Sequence, residues 1–207
     1  MGWAWVIAVV VGLPLSYLIG PWRRRSAIEK RIASGSRTIA DRTSVTVVGT
    51  IRVGVNDLLQ APLSGRRGVI VYAHAELPEV DGRVGSTENV TLVTKRMQPF
   101  ELDTDAGVVL VDGTELDLAI DPLRVPRRSA EREREFVTSH GRGDSVAAVA
   151  TFRELVITPG MCIAVHGMAI IDTSEQGTER GYRDAPPARI RIVAPADSRI
   201  AIGAPRS

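Results

Sequence analysis

The sequence predicts a mainly β protein: an N-terminal transmembrane helix, then one β-rich, barrel-like domain with one or two short helices. Two observations carry this. Residues Trp3 to Gly20 (WAWVIAVVVGLPLSYLIG) form an uncharged apolar run of 18 residues. From Ser44 onward, short segments of period-two hydrophobicity alternate with Gly and Asp turn signals.

The apolar run comes first. At about 1.5 Å per residue it makes a helix of roughly 27 Å, enough to cross a hydrocarbon core. Trp3 and Trp5 stand at one end and Tyr17 and Trp22 at the other, where amphipathic rings settle at a membrane–water boundary. Residues 1–22 are therefore read as the anchor. A cleaved signal peptide needs basic residues before the run and small residues after it. Here Arg23, Arg24 and Arg25 occupy the place of a cleavage site. Residues 1–37 hold six of the 26 basic side chains and one of the 24 acids, leaving 20 and 23, or net −3, for the rest. Positive charge follows the run, so the charge rule places the C-terminal domain in the cytoplasm of a single-pass cell-membrane protein. The basic stretch, Arg23, Arg24, Arg25, Lys30 and Arg31, matches anionic headgroups at about 1 kcal/mol per charge. The mildly acidic, aromatic-poor remainder argues against nucleic acid as a partner.

Residues 23–43 read as a basic juxtamembrane linker with a short helix. Ser26 and Glu29 have capping-box spacing. The helix is expected over 27–34, stopped by Gly35; a flexible linker through Ser34-Gly35-Ser36 is the alternative. Residues 44–207 form the β-rich domain. Val45, Val47, Ile51 and Val53 read as a strand with Gly49 as a possible bulge. Gly68 to Leu77 is a second strand, with Val69, Val71, Ala73 and Ala75 on one face. Val90 to Thr94 resumes strand. Asp105-Ala106-Gly107 turns a hairpin into Val108–Val111, and 114–120 alternates cleanly. The segment 129–136 favours a short polar helix with a solvated face. Val146 to Ile157 is a strand or short helix. Met161 to Ile171 is too short to span a bilayer and reads as a buried strand. Residues 188–193 and 200–202 finish the sheet.

No catalytic constellation emerges. His74, His140 and His166 share no metal-ligand spacing. His74 lies opposite the apolar stripe of its strand. His166 and Cys162 read as core residues; four apart on one strand, they stand about 13 Å from each other, outside hydrogen-bond reach. The single cysteine permits no intramolecular disulfide. The glycines build no phosphate loop, and Asp103 with Asp105 lacks a calcium loop. No metal or cofactor is expected.

A family pattern is nevertheless present. Gly49-Thr50-Ile51 is followed by Leu63-Ser64-Gly65-Arg66, by Pro99-Phe100-Glu101-Leu102, and by Asp105 through Val111 with Gly107. Glu154 through Pro159-Gly160 follows, with Val165-His166-Gly167. This order resembles the GIDE-type, or beside-a-membrane (BAM), domain of membrane-anchored RING-type ubiquitin ligases and their bacterial relatives, over about Val45 to Ile171. The ligases also carry a second membrane helix and a RING. A RING needs about eight Cys and His ligands, against one Cys and three His here. The resemblance thus implies the module of a bacterial-type relative without ligase activity. Its glycines and Pro159 look like turn devices, and Glu154 looks like an edge or partner-facing carboxylate. The expected function is a membrane-anchored scaffold or sensing module that binds a protein or lipid partner without catalysis. The alternatives are a component of a ubiquitin-ligase-like or other enzyme assembly with its effector on another chain, and an OB-fold scaffold for a membrane protease.

Overall fold

The computed structural model describes residues 24–52, 57–77, 90–124, 129–143, 147–172 and 189–205. Helix α1 covers residues 24–34. The strands and second helix follow as β1 (Ser44–Arg52), β2 (Leu59–Gln60), β3 (Arg67–Gly68), β4 (Ile70–Leu77), β5 (Val90–Met97), β6 (Phe100–Thr104), β7 (Gly107–Val111), β8 (Leu116–Leu118), β9 (Leu123–Arg124), α2 (Ala130–Ser139), β10 (Thr151–Ile157), β11 (Cys162–Asp172), β12 (Arg189–Val193) and β13 (Ile200–Gly203).

Five strands close a mixed barrel in the order β1-β6-β7-β12-β11, with β11 returning to β1. All neighbours are antiparallel except β7 and β12. β13 pairs with the same edge of β11 further along, and β8 lies parallel to β13. Period two sorts the side chains. Val45, Val47 and Ile51 of β1, Phe100 and Leu102 of β6, Val109 and Val111 of β7, and Ile163, Val165 and Ala169 of β11 fill the interior.

A second sheet, ordered β5-β4-β10-β9, caps the barrel. Ile70 and Tyr72 of β4, Met97 of β5 and Leu155 and Ile157 of β10 pack into the barrel core. The opposite face carries Ala73, Ala75, Leu92 and Phe152, covered by Phe136 and Val137 of α2. Ser129 caps α2 by accepting from the Arg132 N–H at 3.3 Å. The helix is less fully solvated than its charges imply, because it also buries Glu133.

Several expectations change. Gly49 is no bulge: its register is unbroken against both β11 and β6. A Cβ there would stand 2.5 Å from the Asp103 carbonyl oxygen. The glycine permits close backbone approach where β1 serves both neighbours in closing the barrel. Val69 joins the barrel core rather than the face of Ala73 and Ala75, because regular strand begins only at Ile70. Cys162 is exposed at the mouth of β11, not in the core. Among the described residues, no helix is long and apolar enough to cross a membrane. The apolar run 3–20, with Trp3, Trp5, Tyr17, Trp22 and Arg23, lies outside them.

Candidate functional site at the docked basic helix

Helix α1 lies on the outer surface of the barrel. It rests where β1, β11 and β13 turn small side chains outward. Ile28 and Ile32 pack on Val48, Ala119, Ala164 and Ala201. Gly203 lies below Ile32, where a Cβ would meet the isoleucine Cδ1 at 2.7 Å. Ile32 is buried, and removing such a side chain from water stabilises docking by about 1.5–3 kcal/mol.

The C-terminal end of α1 is held by a hydrogen-bond chain. The Thr46 hydroxyl donates to the Ile32 carbonyl at 3.0 Å. That hydroxyl has one proton, so it accepts from His166 Nδ1–H at 2.9 Å. His166 Nε2 then accepts from the Ser44 hydroxyl at 3.2 Å. Burial pushes the His166 pKa down, and the Arg31 charge adds to this. The chain continues from the helix into the barrel, with Thr46 N–H donating to the Ser36 carbonyl at 2.8 Å. Gly35 makes the seat possible: a Cβ on it would lie 2.0 Å from Thr46 Oγ1 and 2.7 Å from His166 Nδ1. Its φ is not positive. Gly35 therefore ends the helix at a tight contact, not in the left-handed conformation that a stop glycine usually adopts.

Charge supports the same arrangement. Arg25 bonds Glu29 at 2.8 Å and also reaches the Asp121 carboxylate. Arg31 bonds Asp117 at 3.3 Å and donates to the Arg199 carbonyl at 2.7 Å. Of the basic residues assigned to headgroups, Arg25 and Arg31 thus face carboxylates of the domain, Asp117 on β8 and Asp121 just after it. Arg24 and Lys30 are exposed.

The family-motif residues do not converge on one site. Leu63, Ser64, Gly65 and Glu154 do come together. Glu154 is buried, so it is not the partner-facing carboxylate expected from the resemblance. Its Oε1 accepts from Leu63 N–H at 2.8 Å and its Oε2 from Ser64 N–H at 3.1 Å. It ties the loop before β3 to β10, and Arg132 of α2 closes over Gly65. Phe100 is a barrel-core residue. Gly65, Gly107 and Gly160 have positive φ and turn the chain as expected. The turn of Pro159 and Gly160 is pinned by Gly160 N–H donating to the Ile51 carbonyl at 2.8 Å. Gly167 is no turn device: it lies within β11, where a Cβ would meet Ile192 at 2.6 Å.

A second polar group was only partly legible. Tyr72, His74 and Glu76 line the barrel-side face of β4, with Lys95 of β5 and Arg153 of β10 on neighbouring strands. His74 is 9% exposed; among the described residues neither ring nitrogen has a hydrogen-bond partner, and Nε2 stands 3.6 Å from Glu76 Oε1. Burial lowers its pKa and Arg153 adds to this, while Glu76 opposes. Lys95 is lowered chiefly by burial and donates to the Leu116 carbonyl. The signal was the row of alternate polar positions opposite Ala73 and Ala75. Among the described residues, no group of three or more His, Cys, Asp or Glu is placed to hold a metal ion. Comparison with known families, curated proteins and solved structures returns no match for this chain.

Proposed function

We propose that this chain is a single-pass membrane-anchored binding module. In this reading the apolar run 3–20 holds the domain against a bilayer, and the β-rich domain recognises a protein partner there without catalysis of its own. The docking of α1 carries it. The basic segment that follows the apolar run is a helix seated on the barrel through Ile28, Ile32, Arg25, Arg31 and the Thr46–His166 pair. The resemblance to the beside-a-membrane module points the same way, and positive charge after the run places the domain on the cytoplasmic side.

The strand order favours a scaffold reading. In chain order the barrel strands close first-second-third-fifth-fourth, the Greek-key order of OB-type barrels. Such barrels bind through their second and third strands, here β6 and β7. Glu101 and Asp103 project from the outer face of β6, opposite Leu110 and Val108. Asp103 is paired with Arg52 of β1 at 3.0 Å, and such charged groups beside apolar side chains suit a protein surface.

The test uses the full chain in native membranes. It is expected to stay with the lipid through alkaline carbonate washing and to co-purify with a crosslinked protein partner. Reversal of charge at Glu101 and Asp103 is expected to weaken that partner's capture. Recovery of the intact chain in the carbonate wash overturns the reading.

A further inference from the structure

We propose that the end of the barrel at which α1 begins makes a second contact with lipid, through Leu123 and Met161 at the bilayer interface. The inference rests on reading residues 3–20 as the anchor.

The direction of α1 defines this end. Gly35 is level with Thr46 and His166. Ile32 is level with Gly203, which pairs with Ala164. From His166 to Ala164 the helix has therefore moved toward the start of β11. The seven residues from Ile32 back to Arg25 add about 10 Å. Three strand residues cover that distance, so Arg25 lies roughly level with Met161. Gly20, the last residue of the apolar run, is at most about 18 Å of chain from Arg25. This end of the barrel must therefore stand close to the point where the chain leaves the lipid.

Apolar side chains are exposed there. Leu123 is 74% exposed, the most exposed large apolar side chain among the described residues, and Met161 is 36% exposed. Leu123 follows by two residues the Asp121 carboxylate that Arg25 binds. Both are tied to the fold through their backbones. Leu123 is paired with Glu154 across β9 and β10. Met161 is held by its carbonyl, which accepts from Ile51 N–H at 3.0 Å, and by its sulfur, which accepts from Thr158 N–H. The exposed Arg24 supplies positive charge on the same side. Exposed apolar side chains beside a cation, next to a membrane exit, match a headgroup boundary.

The experiment reconstitutes the full chain, with Cys162→Ser, into liposomes of phosphatidylcholine and phosphatidylglycerol brominated high on the acyl chain. An environment-sensitive fluorophore is attached at Leu123→Cys, Met161→Cys or Val108→Cys. Val108 is 43% exposed but belongs to the far end. Its neighbour Val109 pairs with Ile190, and Ile190 with Ile171, roughly 23 Å along β11 from Ala164. Blue-shifted, bromine-quenched emission is expected at 123 and 161, and neither change at 108. Leu123→Asp is expected to reduce the docked-to-undocked ratio reported from 161 by about tenfold or more. If the chain floats with the liposomes but 123 is quenched no more than 108, this contact is absent while the anchor stands. A blue shift without quenching means that protein covers Leu123, and also overturns the proposal. If the chain does not float with the liposomes, the anchor reading fails and this one with it.

Discussion

Replacing Gly35 with alanine tests whether α1 is an integral layer of the fold. The new Cβ would lie 2.0 Å from Thr46 Oγ1 and 3.0 Å from Thr46 Cβ. Thr46 is 3% exposed and committed on both sides, donating to Ile32 and accepting from His166. It cannot rotate away without losing both bonds. Overpacking of this kind costs about 1–3 kcal/mol, and a lost buried hydrogen bond about 1 kcal/mol more. Alanine's helix preference returns up to about 1 kcal/mol. The net expectation is a loss of about 2 kcal/mol. For a chain of 207 residues this corresponds to a fall in melting temperature of about 4–8 °C. Hydrogen exchange should quicken across 28–36 and in β1 near Thr46, and less elsewhere. The decisive measurement is a double-mutant cycle with Thr46→Ala, which removes the clashing oxygen and should recover part of the loss as a coupling energy. If Gly35→Ala matches or exceeds the parent in stability, or if the two changes simply add, then Gly35 is not a contact residue and the docking argument fails.

Three further outcomes follow from the same geometry. Ile32→Ala should cost about 2 kcal/mol, the low end for a buried isoleucine because the helix can settle, and should speed limited proteolysis after Arg31; unchanged protection would place the docking energy elsewhere. Glu154→Gln should cost about 1–2 kcal/mol, because an amide nitrogen then faces one of the loop N–H groups, with faster exchange at Leu63 and Ser64; equal exchange would mean that the charge is dispensable. His74 and His166 both have pKa values below the ordinary 6.5. The unfolded chain therefore binds more protons just below that pH, so this stability is fully present above about pH 6.5 and is lost as pH falls toward the folded-state values. His166→Gln should flatten the fall in melting temperature between about pH 7 and pH 5.5; a slope identical to the parent's would refute the assignment.

Much of the fold could be read from the chain because most strands bury one face. The alternation of β4 and the hairpin at Gly107 both follow local rules. What escaped depended on partners distant in sequence. Gly49 and Gly167 look like turn or bulge glycines locally, yet each exists because a neighbouring strand passes within reach of its missing Cβ. Glu154 alternates like a surface residue, and only the loop carrying Leu63 and Ser64, some 90 positions away, makes it a buried acceptor. Cys162 looked buried because it opens an apolar run, but it sits at the mouth of the strand. The ring of His74 faces away from the apolar stripe as read. Its burial, with the Tyr72 ring edge-on beside it and Arg153 on the paired strand, depends on packing that no local period encodes.

The near-continuous apolarity of β11 joins these threads. An antiparallel strand with one wet face should alternate, and Ile163-Ala164-Val165 does not. Both of its faces are covered: Ile163 and Val165 by the barrel interior, Ala164 by α1. On β11 and β13 the outward residues under the helix are small, at Ala164, Ala201 and Gly203, while Val48 of β1 packs at its side and His166 is bonded to Thr46 beneath the helix end. The sequence of three strands has thus been shaped by a helix that a composition-based reading treats as linker. A covering layer with apolar, ionic and hydrogen-bonded attachment does not swivel freely. On the proposed reading, the anchor therefore sets the tilt of the barrel as well as its distance from the lipid. Inserting three glycines between Gly20 and Arg24 should loosen that control without unfolding the domain. It is expected to erase quenching at Leu123→Cys while leaving the melting temperature unchanged. Quenching that survives the insertion would show that the barrel finds the bilayer through its own surface, with no orientation imposed by α1.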